Sequence, residues 1–309
     1  TGYVADLYMR SLAAHPEIRV AAVHDRNPER LAGFAQHWNV PAVDDLETLL
    51  SGPEAAPLVL NLTNPAEHAA VSRAALEAGR HVYSEKPLAT RLDEAEALHA
   101  LAAEKGLLIA SAPCSVLGEA AQTLWRAVRD GAAGAPRLVY AELDDDFIPQ
   151  APFRKWFSES GAPWPWEDEF RTGCTLEHAG YWLTWLMAMF GSVRTVVAAS
   201  AELAAGKLDG PGAPDFSCAT LFHESGVVSR LTCSILAPHD HRLRVVCDRG
   251  VLELDAAWDN AAPVRLRRRF AVRRRLVNAP FARRLRLKGP THPKLGRRGA
   301  AAMNFALGP

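Results

Sequence analysis

Residues 57–90 read PLVLNLTNPAEHAAVSRAALEAGRHVYSEKPLAT. The apolar run at 57–63 reads as a buried strand, AEHAAVSRAALEAG (66–79) as a helix closed by Gly79, and RHVYSE (80–85) as a second strand. The same alternation extends to both sides. IRVAAVHD (18–25) predicts a strand and PERLAGFAQHW (28–38) a helix. TRLDEAEALHALAAEKG (90–106) predicts a helix with Thr90 as N-cap, Asp93 three residues on, Leu98, Leu101 and Ala102 on one face, and Gly106 at its end. LLIASAP (107–113) predicts one more strand. Strands alternating with helices of this length imply a parallel, doubly wound sheet.

From about residue 137 the pattern changes. RLVYAELDDD, RTVVAASAELA, SCATLFHES, VVSRLTCSIL, LRVVCDRGVLELDA and VRLRRRFAV follow one another as strand-like runs, interrupted by one strong helix, LEHAGYWLTWLMAMF (176–190). Strands on short connections predict a mostly antiparallel sheet, half covered by that helix. The expected domains are therefore 1–133 and 134–309, joined near Gly131 to Pro136.

The bulk composition is that of an ordinary globular chain: 309 residues, 49% hydrophobic and 23% charged, with a formal net charge of zero. The mean hides an asymmetry, because no Asp or Glu follows Asp259 while Arg and Lys recur up to Arg298. The five cysteines (Cys114, Cys174, Cys218, Cys233, Cys247) form no CxxC pair, and they read as free thiols in a reducing cytoplasm. No metal-ligand spacing is read from the sequence, and no apolar run approaches the roughly 20 residues that span a bilayer.

The first residues, TGYVADLYMRSLAAH, place Gly2 and Ala5 as the second and third members of a G-x-G-x-x-G/A turn that opens a helix. Such a turn lets the backbone at Gly2, Tyr3 and Val4 approach a pyrophosphate at the helix N-terminus. Asp25, 23 residues beyond Gly2, stands where an acid accepts a ribose 2′-hydroxyl. That favours NAD, whereas the neighbouring Arg26 would suit the 2′-phosphate of NADP. A first strand is expected before Thr1, and the C-terminus also reads as incomplete.

AALEAGRHVYSEKPLAT resembles the signature of the Gfo/Idh/MocA oxidoreductases, and the resemblance extends over nearly the whole chain: the half glycine motif, VAAVHDRNPERL, NLTNPAEHAAVSRAALEAG, the EKP triplet, and a Gly-led helix before an antiparallel sheet. It implies a Rossmann domain followed by an α+β domain with an open-faced sheet, bound NAD or NADP, and hydride exchange at a sugar or cyclitol carbon. Ligands of such sheets bind outside the carboxyl ends of the strands, where Glu85, Lys86 and Pro87 fall. An ammonium partly withdrawn from water beside a nicotinamide suits acid/base work on a hydroxyl, so Lys86 is the expected catalytic acid/base. Glu85 orients it or the cofactor, and the resemblance implies a cis Lys86–Pro87 bond. Thr63, Asn64 and Pro65 are expected at the cofactor rim, with His68 in the next helix start.

Members of this family carry Asp and, four residues on, His on the helix of the second domain. Counting back from Gly191 in GCTLEHAGYWLTWLMAMFG puts Glu177 and Tyr181 at these positions; the alternative register puts His178 and Trp182 there. Glu177 would hold substrate hydroxyls and Tyr181 donate or relay a proton. Cys114 and Ser115 are expected to line the crevice. In the loop DDDFIPQAPFRKWFSESGAPWPWEDEFRTG (144–173), Trp164 and Trp166 offer flat faces for a sugar ring, the other reading being a loop packed on itself. PVRLRRRFAVRRRL presents an arginine stripe, read as a solvated edge, a diphosphate or polyanion site, or, less favoured, a membrane-surface patch. Nucleic acid is not an expected partner; a sugar-like substrate, in one version nucleotide-linked, and a homo-oligomer are. Two other functions stay open: a non-redox glycosidase or lyase using transient oxidation, and a cofactor-binding regulator without catalysis.

Overall fold

Asn27 accepts the Arg30 amide at 3.0 Å, so α2 (Pro28–Trp38) starts at the Asn-Pro pair. The next helix starts in the same way, Asp45 accepting the Thr48 amide at 2.7 Å. The computed structural model describes residues 1–256, 258–269 and 294–295, and it divides into two compact units. The first is Thr1–Pro113, Phe147–Glu177 and Ala204–Pro214; the second is Cys114–Asp146, His178–Leu203 and the described residues from Asp215 on. The division therefore differs from a single joint near residue 133. Residues 114–133 go with the second unit, because they hold α6 (Glu119–Arg129), whose Ala120, Ala121, Leu124 and Ala127 are buried. The aromatic loop goes with the first.

In the first unit, β1 (Leu58–Asn61), β2 (His81–Ser84) and β3 (Ile109–Ser111) form a parallel sheet in the order 1-2-3. Helices α1 (Ala5–Leu12), α3 (Leu46–Ser51), α4 (His68–Glu77) and α5 (Leu92–Lys105) accompany it. Its core is Leu50, Ala75, Leu76, Val82, Leu98 and Ala102, the face foreseen on α5, with Leu101 packed alongside. Gly106 ends α5 at φ 64°, a left-handed backbone that favours glycine. Two local expectations differ. The N-cap of α5 is Arg91, still extended, and not Thr90; Asp93 and Glu94 in the first turn supply the favourable charge instead. Of the strand expected at 18–25, only Val23 pairs, as a parallel bridge to Ala42, since its flanking residues have no ladder neighbour among the described residues.

The second unit is built on an eight-stranded sheet. Its strands are β4 (Pro136–Asp144), β5 (Val193–Ala201), β6 (Phe216–His223), β7 (Val228–Ser234), β8 (Leu243–Cys247), β9 (Gly250–Leu254), β10 (Val264–Arg268) and β11 (Lys294–Leu295). Their order is 11-10-9-8-4-7-6-5, and among the described residues only β4–β7 is parallel. Alternate residues point inward, as period two demands: Val139, Ala141 and Leu143 on β4, Leu243, Val245 and Cys247 on β8, Leu252 and Leu254 on β9. The helix α8 (Cys174–Phe190) buries Trp182, Trp185, Leu186 and Phe190, and the Trp182 indole donates to Glu142 O on β4 at 2.7 Å. On β10, Val264 and Leu266 face in while Arg265 and Arg267 pair outward with Asp255 and Glu253. Within the described residues the arginine stripe is thus a solvated, charge-paired face. Phe270, Val272, Arg273 and the rest of the basic segment to Arg298 lie outside them, Lys294 and Leu295 excepted.

Candidate active site

Strands β1 and β2 run in register with Asn61 opposite Ser84, so the turns that follow leave from the same edge of the sheet. The Glu85 amide donates to Asn61 O at 2.8 Å and extends the ladder by one step. Glu85 then folds its carboxylate back: Oε2 accepts from the Lys86 amide at 2.9 Å and Oε1 from the Tyr8 hydroxyl at 2.7 Å. Burial, and next the Glu85 charge, push the Tyr8 phenol far above its ordinary range, which keeps it a donor. Glu85 therefore fixes the backbone from which Lys86 projects. The Lys86–Pro87 bond is cis.

The Lys86 ammonium, 18% exposed, pairs with Oε2 of Glu177, whose side chain is 3% exposed. Oε1 of Glu177 is buried as well. Beside it lies Glu169, which in its protonated form hydrogen-bonds Glu177. Burial first, then the Glu177 charge, push the Glu169 carboxyl up to about 8, against the opposing pull of Lys86. Two crowded carboxyls sharing one cation keep a proton between them.

Glu169 sits on α7 (Trp166–Thr172), and the aromatic loop explains why it faces inward. Phe153 packs on Trp164, Trp166 and Phe170 at ring separations of 6.1, 5.4 and 5.2 Å, and Trp156 on Trp164 at 5.1 Å. The Arg154 guanidinium lies 4.4 Å over the Trp166 ring. The loop is thus packed on itself. It is also tied down: Asp6 of α1 accepts from the Ser160 amide and hydroxyl at 2.8 and 3.0 Å and from the Trp38 indole at 2.6 Å. Burial alone would raise the Asp6 carboxyl, but the bonds from Ser158, Ser160 and Trp38 hold it below its ordinary value.

A buried polar network joins the two turns. Thr63 Oγ1 donates to Asn61 Oδ1 at 2.7 Å, and Asn61 Nδ2 donates to His68 O and Ser72 Oγ at 3.0 and 2.9 Å. His68, 1% exposed, has both ring nitrogens on carbonyls, Pro87 O at 2.6 Å and Thr63 O at 2.7 Å. Its imidazole is a clamp between the turns. Pro65 is buried, and Asn64 donates to Asp168 on α7.

The residues expected at a dinucleotide fit one. A Cβ built on Gly2 would stand 3.8 Å from Leu62 O, which brings the turn Gly2–Tyr3–Val4 against the end of β1. In the first turn of α1 the Ala5 amide donates to Gly2 O at 3.1 Å and the Leu7 amide to Val4 O at 3.0 Å, and the helix dipole favours an anion such as a pyrophosphate at this end. Asp25 accepts from the Asn27 amide and Arg30 at 2.8 Å each and from Thr1 Oγ1 at 2.8 Å. Burial opposes ionisation, yet the bonds from Arg30 and Asn27 pull this carboxyl down to about 2, so it is an anion able to accept from a ribose. Arg26 turns to Glu67 at 3.2 Å.

In the second unit, His178 lies 3.6 Å from Asp145, and Tyr181, one turn beyond Glu177 on α8, packs edge-on to Trp258 at 5.3 Å. Ser115 accepts from the Trp185 indole at 3.0 Å, and Cys114 is exposed. Sequence reasoning missed Glu169 beside Lys86 and Glu177, Tyr8 on Glu85, and Asp168 on Asn64. The run of acids in PWEDEF is a visible signal without a direction.

Residues 1–112 match the model of an oxidoreductase family with an NAD-binding Rossmann fold, and residues 121–253 match the GFO/IDH/MocA C-terminal domain. UDP-N-acetylglucosamine 3-dehydrogenase of Acidithiobacillus ferrooxidans is 31% identical over 150 residues, 48% of this chain and 45% of that protein. The match thus spans less than half the length of that relative. In fold, the chain is similar to the WlbA dehydrogenase of Bordetella pertussis, solved with NADH and UDP-GlcNAcA (TM-score 0.74, 18% identity, 99% of this chain and 80% of that one). It is also similar to KijD10, a 3-ketoreductase of Actinomadura kijaniata solved in an open conformation with TDP-benzene and NADP (TM-score 0.71, 19% identity, 97% of this chain and 86% of that one). Both family models together cover most of the chain, and so the protein belongs to the Gfo/Idh/MocA oxidoreductases.

Proposed function

We propose that the protein is an NAD(P)-dependent dehydrogenase or reductase acting on a secondary alcohol or ketone carbon of a sugar-like substrate carried on a nucleotide. The observation behind this reading is the Lys86 ammonium, held at the end of β2 against Glu177 with the protonated Glu169 beside it. A bound nicotinamide supplies the hydride acceptor or donor. As the neutral amine Lys86 Nζ takes the proton from the substrate hydroxyl in one direction, becoming the ammonium, and as the ammonium it returns that proton to the substrate oxygen in the other. Glu177 holds the amine in place, and Glu85 with Tyr8 holds the backbone behind it. Tyr181, one turn along α8 from Glu177, supplies a second polar group, while Trp164 and Trp166 act by supporting α7. The nucleotide-linked sugar is favoured by the ligands named for the two similar structures.

NAD is preferred over NADP on this reading. Asp25 is an anion, and the Arg26 guanidinium that would meet a 2′-phosphate is engaged by Glu67. A homo-oligomer is supported by β5, which ends the sheet with residues 194–200 all exposed, Val196 and Val197 among them. A reducing compartment suits the five free thiols, and no helix of the described residues is long and apolar enough to cross a membrane.

Lys86→Met tests the mechanism. Turnover of UDP- and dTDP-sugars, followed by NADH appearance or loss, should fall roughly 10²–10⁴-fold while NAD binding by calorimetry is unchanged. Equal turnover by the variant removes Lys86 from the reaction, and product formed without net NADH favours the transient-oxidation lyase instead.

A further inference from the structure

The second unit holds a cluster that the redox reading leaves unused. Asp145 follows the last residue of β4, and its amide donates to Ser234 O at 2.9 Å. Across from it the segment His239–Asp240–His241 runs antiparallel toward β8, fixed by the Asp144–Asp240 bridge. Alternation along this extended segment puts His239 and His241 on one side. Asp240 is engaged with Arg242 and is not available to the cluster.

The donor atoms converge. Asp145 Oδ1 lies 3.2 Å from His241 Nε2 and 3.7 Å from His239 Nδ1, and the three ligand atoms all fall within 4.8 Å of one another. Asp145 Oδ2 lies 3.6 Å from His178 Nε2. Ligands of a four-coordinate ion at about 2.0–2.1 Å stand roughly 3.4 Å apart along the edges of a tetrahedron. The Asp145 distances to His241 and His239 bracket that spacing.

His241 adds a second, independent observation. It is 2% exposed and packed edge-on to Trp258 at 4.3 Å, so its Nε2, which faces Asp145 Oδ1 at 3.2 Å, is shielded from bulk water. A buried imidazole turned on a buried carboxylate is a donor pair that a cation can bridge.

We propose that Asp145, His239 and His241 form a binding site for a borderline divalent transition-metal ion of the zinc class, with water in the remaining coordination position. Two nitrogens and a carboxylate oxygen are the donors such ions take, whereas Mg²⁺ and Ca²⁺ seek oxygen. The ion would cross-link the end of β4 to the start of β8. It would be reached from solvent through a cavity of about 490 Å³ bordered by His239 and His241. No ligand spacing in the sequence announces it, because the Asp and the histidine pair lie almost a hundred positions apart.

The site is tested on the untagged full chain, stripped with chelator and titrated with Co²⁺ and Zn²⁺. One equivalent of Co²⁺ should bind with the visible bands of a tetrahedral ion, Zn²⁺ should displace it, and either should raise the melting temperature. His239→Ala changes a largely exposed side chain, so it should fold as the parent does, yet it should weaken binding at least about 10-fold. Asp145→Asn should do the same, and His15→Ala, far along the chain on an exposed turn, should change nothing. Absence of a stoichiometric site in the parent, or equal affinity in His239→Ala, overturns the proposal. The readout involves no turnover, so it stands or falls apart from the redox function.

Discussion

Lys86 and Glu177, 91 positions apart, form an ion pair in which the carboxylate is buried and the ammonium keeps a narrow opening to solvent. The lysine comes from the end of a parallel strand and the glutamate from the first turn of α8. Strand end and helix start are both rigid, so the amine is aimed and not merely present.

Glu177→Gln keeps the shape of the pair and removes its charge. The expected result is a turnover loss of at least about 10-fold with cofactor affinity retained. Stability should fall by less than the about 3–5 kcal/mol seen when a fully buried pair is broken, because water still reaches the amine. Thermal melts and steady-state kinetics check both parts; parent-like values in each would show that Glu177 is a bystander.

Glu169 gives a pH signature whose sign is fixed. The unfolded chain releases this proton near the ordinary 4.5, whereas the folded chain keeps it to about 8. Between these values the native state holds more protons, so the contribution of this group to stability falls as pH rises. Glu169→Gln, which mimics the protonated form, should flatten the slope of melting temperature against pH in that window. It should also remove an inflection in kcat/KM near the upper limit. A variant with the parent's slope would place the proton elsewhere.

Asp6→Asn tests the anchorage of the aromatic loop. Loss of the charged acceptor for Ser160 and Trp38 should cost about 1–3 kcal/mol and open residues 147–165 to limited proteolysis. In the parent, the carboxyl's lowered pKa means that its stabilisation is complete above the ordinary 3.8 and is lost as pH falls through the folded value. An unchanged digestion pattern would mean that aromatic packing alone holds the loop.

The sequence is most legible where a residue type is dictated locally. Asn27 before Pro28 marks a helix start, Gly106 a left-handed stop, and successive strand-like runs on short connections the sheet of the second unit. EKP with the Gly-led helix is enough to place Lys86 and Glu177 in one family pattern. Tertiary packing decides the remainder. Segment 18–25 has strand composition, yet a strand needs a paired neighbour, and only Val23 finds one. Helix α6 escapes a reading by pattern because its buried face is largely alanine, with Gln122 and Thr123 beside them. Glu169 looks like one of three equivalent acids; only the Phe153, Trp164 and Phe170 cluster turns it, and not Glu167, toward the lysine.

The first unit draws on three separate stretches of chain, the second of them ending at Glu177. During synthesis the nascent N-terminal portion thus emerges with its amine lacking a counter-ion and with Asp6 still awaiting Ser160. A fragment stopped at Pro113 would carry β1 to β3 and the Gly2 turn and still be an unfinished unit. Completion is deferred until the chain as far as Pro214 has been made.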